Sequence, residues 1–165
     1  MKTFSWKGQL AVGDRGEELF MEYHPEPLVV YPKHAADFRR LSDGALVELK
    51  TDTYNLEHTK NCFFERWGNQ EERKPGGPWR ARKDRVKVFA YMFVRHNVWL
   101  EWDTKELCKR LDKLTKDMKL VYIKSSHWVV AGYKVPIADV LDIATVFTFE
   151  TESVSGKAEA KKYGL

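Results

Sequence analysis

Three side chains around one turn have the chemistry to bind a cation and act on a phosphate. Asp37 precedes an Asp43-Gly44 pair, and Glu48 and Lys50 follow it in an apolar run. Asp-Gly between two extended runs predicts a β-hairpin with a two-residue turn. That pairing puts Asp37 opposite Lys50, with Glu48 on the same face. Two carboxylates at one point suit Mg²⁺, and a lysine beside it suits attack of water on phosphorus.

The same residues also have a purely structural interpretation. A three-residue loop would shift the pairing by one position and change which side chains meet. Glu-x-Lys is common on strands, and a cross-strand pair of Asp and Lys is often a solvated ion pair. The hairpin alone therefore leaves a metal site and a surface ion pair both open.

The order of motifs along the chain helps to decide between a metal site and a surface ion pair. An acidic helical segment over residues 13–23 precedes Asp37, and the strand after the turn carries Glu48-Leu49-Lys50. This order resembles the PD-(D/E)xK nuclease superfamily, and within it the archaeal-type Holliday-junction resolvases and related phage-type nucleases. The resemblance covers about residues 13–50. Ala36 stands where these proteins often carry the proline of the motif.

The resemblance implies a restriction-endonuclease-like α/β fold, with a mixed central β-sheet flanked by helices. It implies an endonuclease, dependent on Mg²⁺ or Mn²⁺, that hydrolyses phosphodiester bonds of branched DNA in recombination or repair. Asp37, Glu48, Glu17 and the carbonyl of Leu49 would bind the metal. Lys50 would position or activate the water, and crowding by metal and low dielectric would lower its pKa.

Two helical carboxylates compete for the third acidic position. A helix is predicted from about Asp14 to Tyr23. In it Glu17 shares a face with Phe20 by i, i+3 spacing, whereas Glu18 lies on another face. A carboxylate on the face that packs on a sheet can reach an adjacent metal, so Glu17 is the predicted residue. An ordinary acidic helix start explains the same pattern.

The segment from Arg66 to Lys87 is the most basic part of the chain, with eight Lys or Arg against three Asp or Glu. Basic residues interleaved with tryptophan are typical of binding to a phosphate backbone. A short helix predicted from Pro78 carries the best DNA-binding candidates, which are Arg80, Arg82 and Lys83. A helix predicted over about Glu57–Trp67 adds Lys60. A solvated charged loop is the alternative.

The remaining pattern predicts more strands and two more helices. Strands are predicted over residues 28–31, 86–94, 98–102, 120–124, 128–135 and 145–149. A capping box at Asp103–Glu106 predicts a helix to Leu114, and Pro136 starts a last short helix. We therefore predict one nuclease domain over residues 1–150 and a flexible charged tail over 151–165.

Composition agrees with a folded protein that binds a polyanion. The 165 residues are 43% hydrophobic and carry a net charge of +4. The N-terminus has no signal-peptide pattern, and no apolar run is long enough for a bilayer. Two isolated cysteines predict a reducing compartment, the cytoplasm (the host's, if a phage encodes the protein), without a membrane partner. The apolar residues over 86–102 could form the interface of a homodimer or lie in the core.

Two other functions are compatible with the same residues. One is a DNA exonuclease or single-strand nuclease of the same superfamily. The other is a non-catalytic DNA-binding accessory protein whose acidic cluster is only structural. Cleavage that requires Mg²⁺ and stops with EDTA separates a nuclease from a binding protein.

Overall fold

The computed structural model describes residues 6–125, 127–151 and 154–165, which form helices around two main β-sheets. The α-helices in these residues are α1 (Trp6–Tyr23), α2 (Gly77–Lys83), α3 (Thr104–Leu114) and α4 (Gly156–Lys162). Helix α1 thus begins earlier than the predicted start near Asp14.

The larger sheet has six strands and is mixed. In spatial order they are β1 (Leu28–Val30), β2 (Phe38–Arg40), β3 (Leu46–Asp52), β6 (Val88–Phe93), β7 (Val98–Asp103) and β10 (Thr145–Thr148). Strands β3 and β6 are parallel, and the other neighbouring pairs are antiparallel. The expected α/β class, with a mixed sheet flanked by helices, is confirmed.

A second sheet is antiparallel throughout. In spatial order its strands are β5 (Lys74–Pro75), β4 (Asn61–Asn69), β9 (Val129–Pro136) and β8 (Val121–Lys124). A short ladder joins β11 (Glu150–Thr151) to β12 (Val154–Ser155). Two 3₁₀ turns, Ile137–Asp139 and Leu141–Ile143, replace the predicted helix after Pro136.

Hydrophobic cores lie on both faces of the larger sheet. On one face α1 buries Phe20 against Phe38 and Trp99. On the other face the second sheet contributes Phe64, which contacts Trp102. All six residues of β6 are buried, so the apolar residues over 86–102 are core and not an exposed interface.

The central hairpin keeps its predicted faces but not its predicted register. Arg39 pairs with Leu46 instead of Glu48, because the connection holds four residues and not two. The Arg40 guanidinium binds the Asp43 carboxylate at 2.7 and 2.9 Å, and that carboxylate accepts the N–H of Ala45. The predicted two-residue turn was therefore wrong, and the observed pairing is shifted from the predicted pairing by two positions. A shift by an even number keeps each side chain on its predicted face, so the buried face stays buried.

The helix predicted over Glu57–Trp67 is also wrong, because this segment forms β4. Cys62 and Phe64 pack in one core, while Phe63 between them is also buried and lines a cavity. A strand covered on both faces has a continuous apolar run, which periodicity alone does not distinguish from a helix. Pairing with β9 decides the outcome here.

The elements with strong local signals form where they were predicted. The side chain of Asp103 accepts the N–H groups of Lys105 and Glu106 at the start of α3, as the capping box predicts. Strand β10 lies at the edge of the larger sheet. In the described residues, no helix combines the length and the apolar character that a bilayer span requires.

The segment expected to be a flexible tail contains helix α4. Ser155 caps its first turn, and Ala160 and Tyr163 are buried in the larger core. The ring of Tyr163 meets the edge of His96 at 4.8 Å, and Lys162 binds Glu57 at 2.7 Å. The small and charged residues of this segment gave no sign of these contacts, because the contacts are made with distant parts of the chain.

We expect Tyr163→Ala to destabilise the fold by about 3 kcal/mol, because it removes a buried aromatic ring and leaves a cavity. Urea unfolding measures this loss. Lys161→Ala, at an exposed position of the same helix, should stay within about 0.5 kcal/mol of the parent. Equal stability of both variants would mean that α4 does not dock on the core.

Candidate functional site

Strand β3 carries charged side chains into the middle of the molecule. It pairs with β6 along almost its whole length, whereas β2 pairs only with its first two residues. The rest of that edge is not paired with a strand of the described chain. Because side chains alternate along a strand, Glu48, Lys50 and Asp52 share one face. The Lys50 side chain is 38% exposed, whereas the Glu48 side chain is 14% exposed.

Asp37 lies at the beginning of this unpaired edge. Its Oδ2 accepts the N–H of Leu49 at 2.7 Å. The carbonyl of Leu49 points to the same edge of the strand as this N–H, as in any extended residue. Burial raises the pKa of Asp37, while the Leu49 N–H and the charge of Arg80 act in the opposite direction.

Glu48 is the most perturbed carboxyl group of the site. The Arg80 guanidinium donates a hydrogen bond to its Oε1, and Oε2 is buried without a hydrogen-bond partner in the described chain. Burial and then the charge of Asp37 raise the pKa of Glu48 to about 8, against the effect of Arg80. Asp37 and Glu48 are therefore close enough to repel each other and titrate as a pair.

Lys50 is held by a carboxylate that the sequence analysis missed. Its Nζ donates to Oε1 of Glu65 on β4 at 3.0 Å. Burial lowers the pKa of Lys50, but the charge of Glu65, its hydrogen bond and the charge of Asp52 outweigh this, so that the pKa is raised. The lowered pKa was expected for Lys50 crowded by a bound metal, and that expectation stays a prediction.

Glu65 was missed because a helix was predicted over its segment. A strand interpretation would have placed it on the same side as Phe63 by alternation, facing the same cavity. The Asn61-to-Trp67 run, rich in aromatic residues, was the available signal.

Asp52 is the last of the three charged residues on this face of β3, and hydrogen bonds hold its side chain in place. The Tyr91 hydroxyl donates to Oδ2 of Asp52 and accepts the N–H of Phe63 at 3.0 Å. Burial raises the pKa of Asp52, and the Tyr91 hydrogen bond and Lys50 lower it in part. This network ties β3, β6 and β4 together beside the site.

Helix α1 presents Glu17, and not Glu18, to the site. Burial and then the charge of Asp37 raise the pKa of Glu17. Glu18 is exposed and pairs with Arg15 at 3.3 Å. The close approach of α1 depends on Gly16, where any Cβ would collide with the side chain of Thr51 on β3.

Two adjoining cavities open around Lys50. The larger, about 480 Å³, lies between α1, β3 and the second sheet, and its lining includes Glu17, Tyr54 and Val130. The smaller, about 310 Å³, is lined by Glu48 and Arg80. Both cavities share the side chains of Leu49, Lys50, Phe63 and Glu65. They form a cleft on either side of the Lys50–Glu65 pair.

The four predicted DNA-binding residues have different environments. Arg80 points into the cleft and binds Glu48. Arg82 instead pairs with Asp112 of α3 at 3.1 Å, and Lys83 is exposed on α2. Lys60 precedes β4 and lies five strand residues from Glu65, which is about 16 Å along the chain. Only Arg80 of this set lines either cavity.

The first turn of α2 lies against the backbone of β4. A Cβ added at Gly76 would come within 2.7 Å of the Gly68 nitrogen. Gly77 has a φ of +43°, and a Cβ there would come within 2.9 Å of the Glu65 carbonyl. Both positions therefore require glycine. This contact places Arg80 beside Glu65 and Glu48.

The candidate ligands of the predicted metal site lie close together, but they do not form a complete coordination shell. Among the described residues, no group of three or more His, Cys, Asp or Glu side chains is arranged to hold a metal ion. The buried, unpaired Oε2 of Glu48 fits a metal ligand, because a buried acceptor without a partner is costly. The metal stays a prediction.

We expect Glu48→Gln to remove a pH dependence of stability. A carboxyl group with a raised pKa keeps a proton in the folded protein that the unfolded chain has lost. Stability therefore falls between the unfolded pKa of 4.5 and the folded pKa of about 8. The stability of the variant relative to the parent should rise across this interval, as urea unfolding at a series of pH values would show.

The matched control is Glu18→Gln, which changes an exposed carboxylate on α1. This control measures the effect of removing one exposed carboxylate, which should change the stability by no more than about 0.5 kcal/mol. A Glu48→Gln variant whose stability parallels that of the parent across this interval would contradict the raised pKa of Glu48.

No protein-family model matches the chain, and no curated protein matches it. A function is therefore inferred from the chain's own residues. These are the carboxylates of Asp37 and Glu48, the Lys50–Glu65 pair and the guanidinium of Arg80.

Proposed function

We propose that the chain is a metal-dependent deoxyribonuclease of the PD-(D/E)xK type that hydrolyses phosphodiester bonds. The observation that carries this proposal is the buried pair of Asp37 and Glu48 beside the unpaired edge of β3, with Lys50 on the same face of that strand as Glu48. The mixed sheet agrees with the fold that the sequence resemblance implies. The net charge of +4 favours a polyanionic substrate.

Asp37 and Glu48 are the residues that would hold Mg²⁺ or Mn²⁺, with Glu17 and the Leu49 carbonyl in reach of the same edge. A bound metal would acidify a water and offset charge on the scissile phosphate. Two buried carboxylates that repel each other favour a cation between them. The unpaired Oε2 of Glu48 supports the same assignment.

Lys50 acts in this proposal as a charged group and not as a general base. Its raised pKa keeps a proton on Nζ at neutral pH. A fixed ammonium can orient the attacking water and stabilise the negative charge that develops on the phosphate oxygens. Glu65 keeps the ammonium in place through the 3.0 Å contact.

Arg80 supplies the phosphate contact of the cleft. Its guanidinium donates a hydrogen bond to Glu48 in the structure, and a cation between Asp37 and Glu48 would compete with this contact. A planar guanidinium binds phosphate with two parallel hydrogen bonds. We therefore propose that Arg80 exchanges the Glu48 carboxylate for a backbone phosphate of DNA.

The proposed substrate is branched DNA, as in the junction resolvases that the motif order resembles. Incubation with a fixed four-way junction, linear duplex and single strands, with and without Mg²⁺, tests both the metal dependence of cleavage and the preferred DNA substrate. We expect cleavage of the junction in Mg²⁺ and none in EDTA. Cleavage of single strands alone would favour the exonuclease or single-strand alternative. Binding without cleavage in any condition would favour an accessory protein.

We expect Lys50→Ala to lower the cleavage rate at least about 100-fold, because the charge beside the reacting phosphate is lost. DNA binding in EDTA, measured by fluorescence anisotropy, should change little. Lys60→Ala, an exposed lysine outside both cavities, is the matched control and should cleave like the parent. Full activity of Lys50→Ala would remove this lysine from the mechanism.

We expect Arg80→Ala to weaken DNA binding and to reduce the salt dependence by about one phosphate contact, a change in slope of roughly 0.9. Titrations in Mg²⁺ with Lys50→Ala as the background prevent cleavage during the measurement. Arg82→Ala is the control, since its guanidinium is engaged with Asp112. An equal loss in both variants would place the phosphate contact on the outer face of α2.

A further inference from the structure

The β8–β9 hairpin forms one wall of the larger cavity and projects beyond it. Ile123 and Val130 pair across the hairpin, and both line the cavity. The N–H of Ser125 bonds to the carbonyl of Trp128 at 2.9 Å, which extends the ladder by one pair beyond Lys124 and Val129. The hairpin therefore continues past the cavity as a short ribbon.

Trp128 lies in a bend directly before β9. Its carbonyl accepts the N–H of Ser125, so continuing the alternation by one pair beyond Lys124 and Val129 would place Trp128 on the side of Ile123 and Val130. Trp128 is 39% exposed, and the ring of His127 lies 6.0 Å from its ring in a tilted arrangement. Tyr122, which is 47% exposed, pairs with Ala131 and lies on the opposite side. One exposed aromatic residue of this hairpin therefore faces the cleft and the other faces away.

The dimensions of this region fit a nucleoside. The N–H of Gln70 bonds to the Val129 carbonyl, so the β4–β5 turn, which carries exposed Glu71, Glu72 and Arg73, lies alongside the hairpin. A cavity of about 480 Å³ has the size of a site for one small molecule. It suits a single nucleoside better than a stacked base pair.

We infer that Trp128 stacks on an unpaired nucleobase next to the phosphate that the cleft binds. This inference rests on the proposed function and makes its substrate more specific, to DNA with at least one unstacked nucleotide beside the cut. Aromatic side chains stack on any base, because every base has a π-face. The aliphatic side chains of Ile123 and Val130 then provide an apolar wall for the nucleoside that enters the cavity.

Binding measured without cleavage tests the inference. The probes are a fluorescein-labelled oligothymidylate, the same strand with one 2-aminopurine, and a blunt duplex, all in EDTA. We expect Trp128→Ala to bind the single strand at least about fivefold more weakly, the lower end of the loss seen when a stacking aromatic residue is removed. Duplex binding should change less than twofold, roughly within the scatter of such titrations.

Two further variants make the result specific. Trp128→Phe should retain most of the affinity, because a phenyl ring still stacks. Tyr122→Ala, which removes an equally exposed ring on the other side of the same hairpin, should bind like the parent. The parent should also quench 2-aminopurine fluorescence, and Trp128→Ala should not. Circular dichroism melts confirm that each variant is folded.

The outcomes separate this inference from the proposed nuclease function. Parent-like binding of Trp128→Ala, or an equal loss on single strand and duplex, would overturn the stacking role even if the parent cleaves DNA in Mg²⁺. A selective loss in Trp128→Ala would support stacking even if the parent cleaves nothing. A parent that binds none of the three probes would overturn it.

Discussion

The repulsion between buried carboxylates on and around β3 is the constraint that explains the arrangement of the surrounding elements. Asp37 and Glu48 meet in a partly buried place, where neither can ionise freely without a nearby cation. The nearby cation is Arg80 of α2, which donates a hydrogen bond to Glu48. Lys50, the next charged residue on the same face of β3, pairs instead with Glu65. Glu65 in turn balances Lys50, so the second sheet is part of the same charge network.

This balance is also the reason why Lys50 keeps its proton. A lysine in an apolar pocket would lose its charge readily, whereas this one has Glu65 at 3.0 Å and Asp52 two residues along the strand. An ammonium ion held between carboxylates suits the electrostatic role that we propose for Lys50.

The parts of the fold with local signals were predictable from the sequence. The capping box at Asp103, the proline that starts α2 and the apolar strands β6 and β7 each depend on residues within one element. The predicted faces of the central hairpin hold for a related reason. A shift of two positions preserves the alternation of side chains, so Phe38 and Val47 are still buried.

The parts that depend on distant contacts were not predictable in the same way. Strand β4 is a strand because β9 pairs with it, and α4 is ordered because Tyr163 meets His96 from a distant part of the chain. The residues of the candidate site divide in the same way, into those that local sequence predicts and those that depend on distant contacts. Asp37, Glu48 and Lys50 lie close together in sequence, whereas Glu65 reaches Lys50 only through the second sheet.

The glycines at the start of α2 have a consequence for the shape of the cleft. Gly76 and Gly77 let the helix backbone rest directly on the β4 backbone, at Gly68 and Glu65. Main-chain contact, and not the choice of side-chain rotamers, therefore sets the distance between the two walls. A wider cleft would require a different connection between β5 and α2, so the protein accepts ligands of a limited thickness there. The backbone at Gly68, Gly76 and Gly77 therefore forms part of the lining of the smaller cavity.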